Sequence, residues 1–154
     1  MVHLSRMCTL VALLVALAGC ASAPEPQGNS EILNLQAEAE YAYQLALLDQ
    51  AETLYLEILR SIPNYAPAWF RLGNIYSRTG RLDAAILAFE RCVELEPENQ
   101  KALYNMALVR LKQSHQIISL ARRQNGVDPQ VQRQIDGLYQ ALLRLQQHTP
   151  TDSN

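Results

Sequence analysis

The chain has 154 residues, 49% of them hydrophobic, with 13 basic against 15 acidic side chains, three Cys, six Gly and seven Pro. Collagen, a disordered tail, a disulfide scaffold and a strongly basic nucleic-acid module are excluded, because each needs a more skewed composition. One small soluble domain is the expectation that remains.

The apolar residues are not evenly spread. Residues 8–18 (Cys-Thr-Leu-Val-Ala-Leu-Leu-Val-Ala-Leu-Ala) carry no charge and follow a short segment whose side-chain charge is Arg6. That run is shorter than the ~20 residues a membrane-spanning helix requires, and it reads as a signal peptide over 1–19. Leu17-Ala18-Gly19-Cys20 closes it and resembles the bacterial lipobox, in which a lipoprotein signal peptidase cuts before a Cys carrying diacylglycerol. The resemblance implies lipidation at Cys20, with covalent diacylglycerol and an N-acyl chain and no other cofactor. The alternative is an ordinary secretory signal cut after Ala23, which would place Pro24 directly beyond the cut, where its fixed φ and missing N–H suit a protease-bound strand poorly.

Several acyl chains at ~0.8 kcal/mol per buried CH₂ hold far more firmly than one myristoyl group. By resemblance to Gram-negative lipoproteins, Ala21 and Ser22 stand where an inner-membrane retention signal would carry Asp. The expected location is therefore the periplasmic side of the outer membrane. Residues 20–30, with Pro24, Pro26 and Gly28 and no apolar period, read as the lipidated Cys and a flexible tether. Once Cys8 leaves and Cys20 is acylated, Cys92 has no partner and is expected to be a buried small hydrophobe.

The rest of the chain repeats itself. An offset of 34 sets Leu35 on Trp69, Ala39 on Gly73, Leu48-Asp49 on Leu82-Asp83, Ala51 on Ala85, Tyr55 on Phe89 and Pro63 on Pro97. Ala51, Leu54, Tyr55, Ile58, Leu59 and Ala85, Ala88, Phe89, Cys92, Val93 each follow i, i+3, i+4, i+7, i+8, which makes one apolar helical stripe per copy. Gly73 and Ala39 read as close-approach points between helices, and the two prolines as stops. The second copy, Trp69-x₂-Leu72-Gly73-x₂-Tyr76 with Ala85, Phe89 and Pro97, resembles the tetratricopeptide repeat (TPR).

That resemblance implies an all-α fold, a right-handed superhelix of antiparallel helix pairs with a C-terminal capping helix. About three repeats are expected over 31–127, at 32–65, 66–99 and a divergent 100–127. The third starts at an Asn99 N-cap and is expected to have a shortened second helix, carrying Ile117, Ile118, Leu120 and Ala121, that ends near Asn125-Gly126. Asp128-Pro129 then restarts a helix. Val131, Ile135, Leu138, Leu142 and Leu145 give a capping helix over 128–148 with one apolar face and a wet outer one. Residues 149–154 read as a disordered tail.

No catalytic pattern accompanies the repeats, and no enzyme is expected. His115 and His148 lack Cys or carboxylates at ligand spacing, so they read as solvent-exposed and no metal site is expected. Glu38/Glu40 and Glu94/Glu96/Glu98 are i, i+2 neighbours that point to different sides of a helix. Residues 20–99 carry five basic and twelve acidic side chains, and residues 100–154 seven basic and three acidic. The chain is polarised but nowhere dense enough in cations for nucleic acid.

First helices of TPR repeats line a concave groove that, in the family, takes an extended peptide or a helix. The matching positions here are Glu40, Tyr43 and Gln44, then Phe70, Arg71, Asn74 and Arg78, then Lys101 and Asn105. Arg71 and Asn74 are the central polar candidates and Phe70 the apolar anchor. Gln36 and Glu40 stand where chaperone-binding members carry a carboxylate clamp, so an acidic C-terminus is not the expected ligand. The expected role is a membrane-anchored protein–protein interaction scaffold. It resembles the small assembly lipoproteins of pilus and secretion systems, with an adaptor of peptidoglycan enzymes, or an envelope enzyme, as alternatives. The sequence leaves the partner and the oligomeric state open.

Overall fold

Residues 27–148 are described by the computed structural model, and their regular elements are six helices: α1 Gln27–Gln44, α2 Leu48–Ser61, α3 Ala66–Arg78, α4 Leu82–Leu95, α5 Gln100–Arg122 and α6 Pro129–His148. Contacts divide the chain at Leu33/Asn34, and the unit from Asn34 onward holds the repeats. The signal segment, Cys20, most of the tether and the tail lie outside the described residues. No described helix is long and apolar enough to cross a membrane.

α1 starts at Gln27, inside the segment expected to be tether. After Pro26 nothing in the sequence forbids helix, and Gly28 in a first turn weakens it without stopping it.

Helix boundaries repeat because the same local chemistry sets them. α2 and α4 end at residues before a proline, where crowding by the proline ring disfavours helical geometry. Ile62 and Glu96 accordingly have φ/ψ of −131°/80° and −133°/81°. Between the helices of each pair the chain turns through one left-handed residue, Ala46 (φ 57°) in repeat one and Gly80 (φ 78°) in repeat two. These two are 34 positions apart, so the sharp turn belongs to the repeat rather than to either residue.

The core follows the periodicity. Ala39, Ala51, Ile58, Ala68, Leu72 and Ile75 are wholly buried in one cluster, and Ala85, Phe89, Cys92 and Ala102 in the next. Gly73 is fixed by sterics: a Cβ there would come within 2.6 Å of the Phe89 ring. Cys92 is wholly buried, and burial, then the Glu96 charge, pushes its thiol up to about 11, which keeps it protonated and unreactive.

The third repeat departs from expectation. Where a helix pair was expected, α5 runs as a single rod of 23 residues from the Asn99 cap, whose side chain accepts from the Ala102 N–H at 3.0 Å. Shifting Gly80 by 34 reaches Ser114, and the surrounding Lys-Gln-Ser-His-Gln contains neither Gly nor Pro. Ala46 turns without glycine because its two helices pack into one core cluster; around Ser114, among the described residues, no such packing opposes the helix, which continues at ~1.5 Å per residue. Gln113 bonds Asp83 at the start of α4 and Lys112 reaches the Ser77 carbonyl at the end of α3. Residues 114–122 run on past both, leaving Ile117 66% and Leu120 54% exposed.

α6 begins as the sequence indicates, with Asp128 accepting from the N–H groups of Gln130 (2.7 Å) and Val131 (3.3 Å). It docks on α5 through an Arg122–Asp136 pair at 2.8 Å, Arg122 over the Tyr139 ring at 4.1 Å, and His115 stacked on Tyr139 at 5.2 Å. His115 is thus half-buried with an enclosed, unpartnered Nε2, not the exposed residue expected; the side chain of His148 lies outside the described part. The outer face of the cap is wet as expected, with Arg133, Gln134, Gln140 and Arg144 exposed, but its apolar face is only partly covered. Leu142 is buried, but Val131, Leu138 and Leu145 stay 45–55% exposed, because one rod is too narrow to cover a stripe that a helix pair would have enclosed.

Candidate functional site

The first helices α1, α3 and α5 are joined by polar contacts that recur with the repeat. Arg71 on α3 donates from Nη2 to Glu40 Oε1 on α1 at 2.8 Å. Asn105 on α5 donates from Nδ2 to Asn74 Oδ1 on α3 at 2.8 Å. Both pairs are 31 residues apart, and a shift of 34 carries Glu40 onto Asn74 and Arg71 onto Asn105. One inter-repeat contact is therefore used twice, as an ion pair and as an amide pair.

Around the ion pair the network is denser. Glu40 also accepts from Tyr55 Oη at 3.0 Å and from Gln44 Nε2 at 3.3 Å. The Tyr43 ring lies under two guanidinium groups, Arg71 at 4.7 Å and Arg78 at 5.3 Å, a cation–π arrangement. Burial foremost, then its bond to the Glu40 carboxylate and that negative charge, raises the Tyr55 phenol above its usual range. It remains a neutral donor at any physiological pH.

The sequence candidates therefore divide. Glu40, Tyr43, Gln44, Arg71 and Arg78 come together in one cluster, and Asn74 and Asn105 form a second beside it. Asn74 is 8% exposed, which makes it first a buried partner of Asn105. Phe70, expected as an open anchor, is half-buried, with its ring 6.0 Å from Phe89 and tilted 58°. It packs against the cluster that holds Phe89 and Cys92. Lys101 is exposed and Gln44 at the cluster's edge is exposed too.

Tyr55 was read from sequence only as packing between repeats, and its hydroxyl was missed as part of the network. A signal was present: Tyr55 aligns with Phe89, and a hydroxyl in a core position must find a partner. Repeat one supplies Glu40, whereas repeat two pairs two amides and needs no hydroxyl.

Electrostatics differ between the helix layers. α3 and α5 contain no acidic residue but carry Arg71, Arg78, Lys101, Arg110, Lys112 and Arg122. α2 and α4 hold Asp49, Glu52, Glu57, Asp83, Glu90 and Glu94. Glu40 neutralises Arg71, Glu90 pairs with Arg110 at 3.1 Å and Asp136 with Arg122, so among the described residues of α3 and α5 the exposed cations outside these ion pairs are Arg78, Lys101 and Lys112. A second, bidentate bridge between repeats, Arg81 on Glu52 with Nη1–Oε1 at 2.8 Å, holds the Glu52 carboxyl below its usual range through its hydrogen bonds and charge.

Residues 66–99 match the family described as tetratricopeptide repeat. The peroxisomal targeting signal receptor of Candida albicans is 35% identical over 63 residues, 41% of this chain and 11% of that protein. The PEX5-related protein of Mus musculus is 43% identical over 54 residues, 35% and 10% of the two chains. The chain thus spans about a tenth of the length of these curated relatives. Two solved structures share the fold: the TPR2B domain of yeast Sti1 in its pHsp70 complex (TM-score 0.52, 17% identity, 75% of this chain and 98% of that one), and the Sgt2 TPR domain of Aspergillus fumigatus (TM-score 0.51, 20% identity, 87% and 92%). The fold is an all-α TPR solenoid.

Proposed function

We propose that this protein is a lipid-anchored scaffold on the periplasmic side of the outer membrane, holding an extended segment of a partner on the α1–α3–α5 surface and so assisting assembly or localisation of an envelope complex of the pilus or secretion type. The supporting observation is the polar surface itself. Its internal pairs, Glu40–Arg71 and Asn74–Asn105, brace the repeats, and they leave Arg78 exposed over Tyr43 and Lys101 exposed near the start of α5. Such an arrangement suits a partner backbone crossing the helices with carboxylate side chains meeting the two cations. TPR relatives are named as targeting-signal receptors and one is solved with pHsp70, which favours binding over catalysis. The lipobox-like Leu17-Ala18-Gly19-Cys20 supports the anchor, and confinement to a membrane raises the groove's effective concentration for membrane partners.

The test is affinity capture from solubilised membranes with the full chain and with Arg78→Glu/Lys101→Glu, whose helicity is checked by circular dichroism. Recovery of secretin or pilus components, lost in the double variant, is the expected result. Equal recovery refutes the groove assignment, and recovery of peptidoglycan hydrolases or synthases instead replaces the assembly role with the adaptor role. Acyl label retained on Cys20→Ser refutes the anchor.

A further inference from the structure

A repeat stacked on its neighbour buries one side of its first helix, and at the two ends of the described array that side is exposed. Shifting α1 by 34 positions sets Asn34, Glu38 and Tyr41 on Ala68, Leu72 and Ile75. Those three residues of α3 are wholly buried, in the cluster that holds Ala39, Ala51 and Ile58 of repeat one. On α1 the same face is open: Asn34, Ala37, Glu38, Tyr41 and Leu45 are all exposed, Tyr41 by 65% and Leu45 by 52%. Among the described residues, nothing is stacked on this face. At the other end, Val131, Leu138 and Leu145 of α6 form an exposed stripe at spacing i, i+7, i+14. Beside them lies Gly137, where an added Cβ would meet nothing within 4 Å. A mid-helix glycine with no close neighbour in its own chain costs about 1 kcal/mol relative to Ala, and it lets another helix approach closely.

Charge selects how these faces pair. The open α1 face carries Glu38 and no basic residue, whereas α6 carries exposed Arg133 and Arg144 and one acid, Asp136, which is engaged by Arg122. A two-fold contact of like with like would set acid on acid or base on base. Head-to-tail contact sets the acidic end on the basic one.

We propose that the α6 end of one copy stacks on the α1 end of the next, with Tyr41 lying over the small residues Gly137 and Ala141, and Leu138 over Ala37. The contact is heterologous: each copy uses one face at each end, so copies add in a row. One helix face per copy places the interface at the small end of specific contacts, and a covalent probe is the right reporter.

The experiment uses the full chain in the envelope of a Gram-negative host, with the photoreactive residue p-benzoylphenylalanine placed at Tyr41 and, separately, at Leu138, and cross-linked peptides identified by mass spectrometry. The Tyr41 probe is expected to capture residues 130–145 of a second copy and the Leu138 probe residues 34–45. Leu138→Lys in a co-expressed, differently tagged copy is expected to cut capture by the Tyr41 probe about tenfold, the equivalent of ~1.4 kcal/mol. Leu138 is 49% exposed, so that variant should melt as the wild type does. Capture of the same end of a second copy, of a different protein, of the chain's own residues, or of nothing overturns the proposal. Arg78→Glu/Lys101→Glu should leave the cross-link unchanged, so failure of the groove reading and failure of this one are separable.

Discussion

Gly73→Ala adds one methyl group in the tightest place of the solenoid. The new Cβ would lie 2.6 Å from Cδ1 and Cε1 of Phe89 and 2.8 Å from Cζ, against a relaxed carbon–carbon separation of about 3.5–4.0 Å. Phe89 is wholly buried, so its ring has no solvent to swing into, and either α3 backs away or the ring leaves its rotamer. Overpacking of this kind costs about 1–3 kcal/mol, and Ala in place of Gly in a helix interior returns about 1 kcal/mol. A contact of 2.6 Å against a ring with nowhere to move belongs at the upper end of that range, so the net expectation is a loss of about 2 kcal/mol, read from urea denaturation followed by circular dichroism. The Phe89→Leu background removes the offending ring atoms, so there Gly73→Ala should become neutral or stabilising, a coupling of about 2 kcal/mol. Gly137→Ala is the control, since open space surrounds that position and only the propensity gain of about 1 kcal/mol applies. The close-packing argument is refuted if Gly73→Ala is as stable as the wild type, or if its penalty survives Phe89→Leu.

Two further stability experiments follow from the turns and the bridges. Ala46 occupies a left-handed conformation (φ 57°) that costs an L-residue about 1–2 kcal/mol, while glycine's extra freedom in the unfolded chain takes back about 0.4–1 kcal/mol. Ala46→Gly should therefore stabilise the domain by about 0.5–1 kcal/mol, and Gly80→Ala should destabilise it; an unchanged denaturation midpoint for both would mean that the turns relax. The Glu52 carboxyl is held below its ordinary value by Arg81, so its contribution is present above the unfolded carboxylate range near pH 4.5 and is lost as pH falls through the lower folded value. Arg81 is 43% exposed, which keeps the pair at under ~1 kcal/mol. Glu52→Gln should thus be less stable than the wild type at pH 7, with a deficit that shrinks as the pH falls below about 4.5. A deficit that persists in acid would assign the loss to packing.

The candidate site was legible in part because one rule recurs. The positions of Glu40 and Asn74, and those of Arg71 and Asn105, stand one repeat apart, and the tetratricopeptide resemblance mapped at that spacing nominated all four. What was not legible was that each would be used by its neighbour. A side chain's choice between solvent, ligand and adjacent repeat depends on how closely the helices approach, and small residues such as Ala39, Ala42 and Ala68, all buried, bring them close enough for Arg71 to reach Glu40. Phe70 likewise turned toward the core, its ring 6.0 Å from that of Phe89.

The sequence by itself determined the helices and the repeat, because both follow from local rules. Apolar spacing at i, i+3, i+4 defines the buried face, proline at 63 and 97 ends the second helices, and Asn99 and Asp128 cap the last two. Only the tertiary structure decided whether a pair of helices turns or runs straight. Ala46 accepts a strained left-handed conformation because the packing of α1 on α2 outweighs its local cost, whereas Ser114, at the equivalent place, stays helical because no further repeat encloses residues 117–122. That same missing neighbour exposes Leu138 at one end and Tyr41 at the other: a stripe is written in the sequence, but whether it is covered depends on how many helices lie beside it.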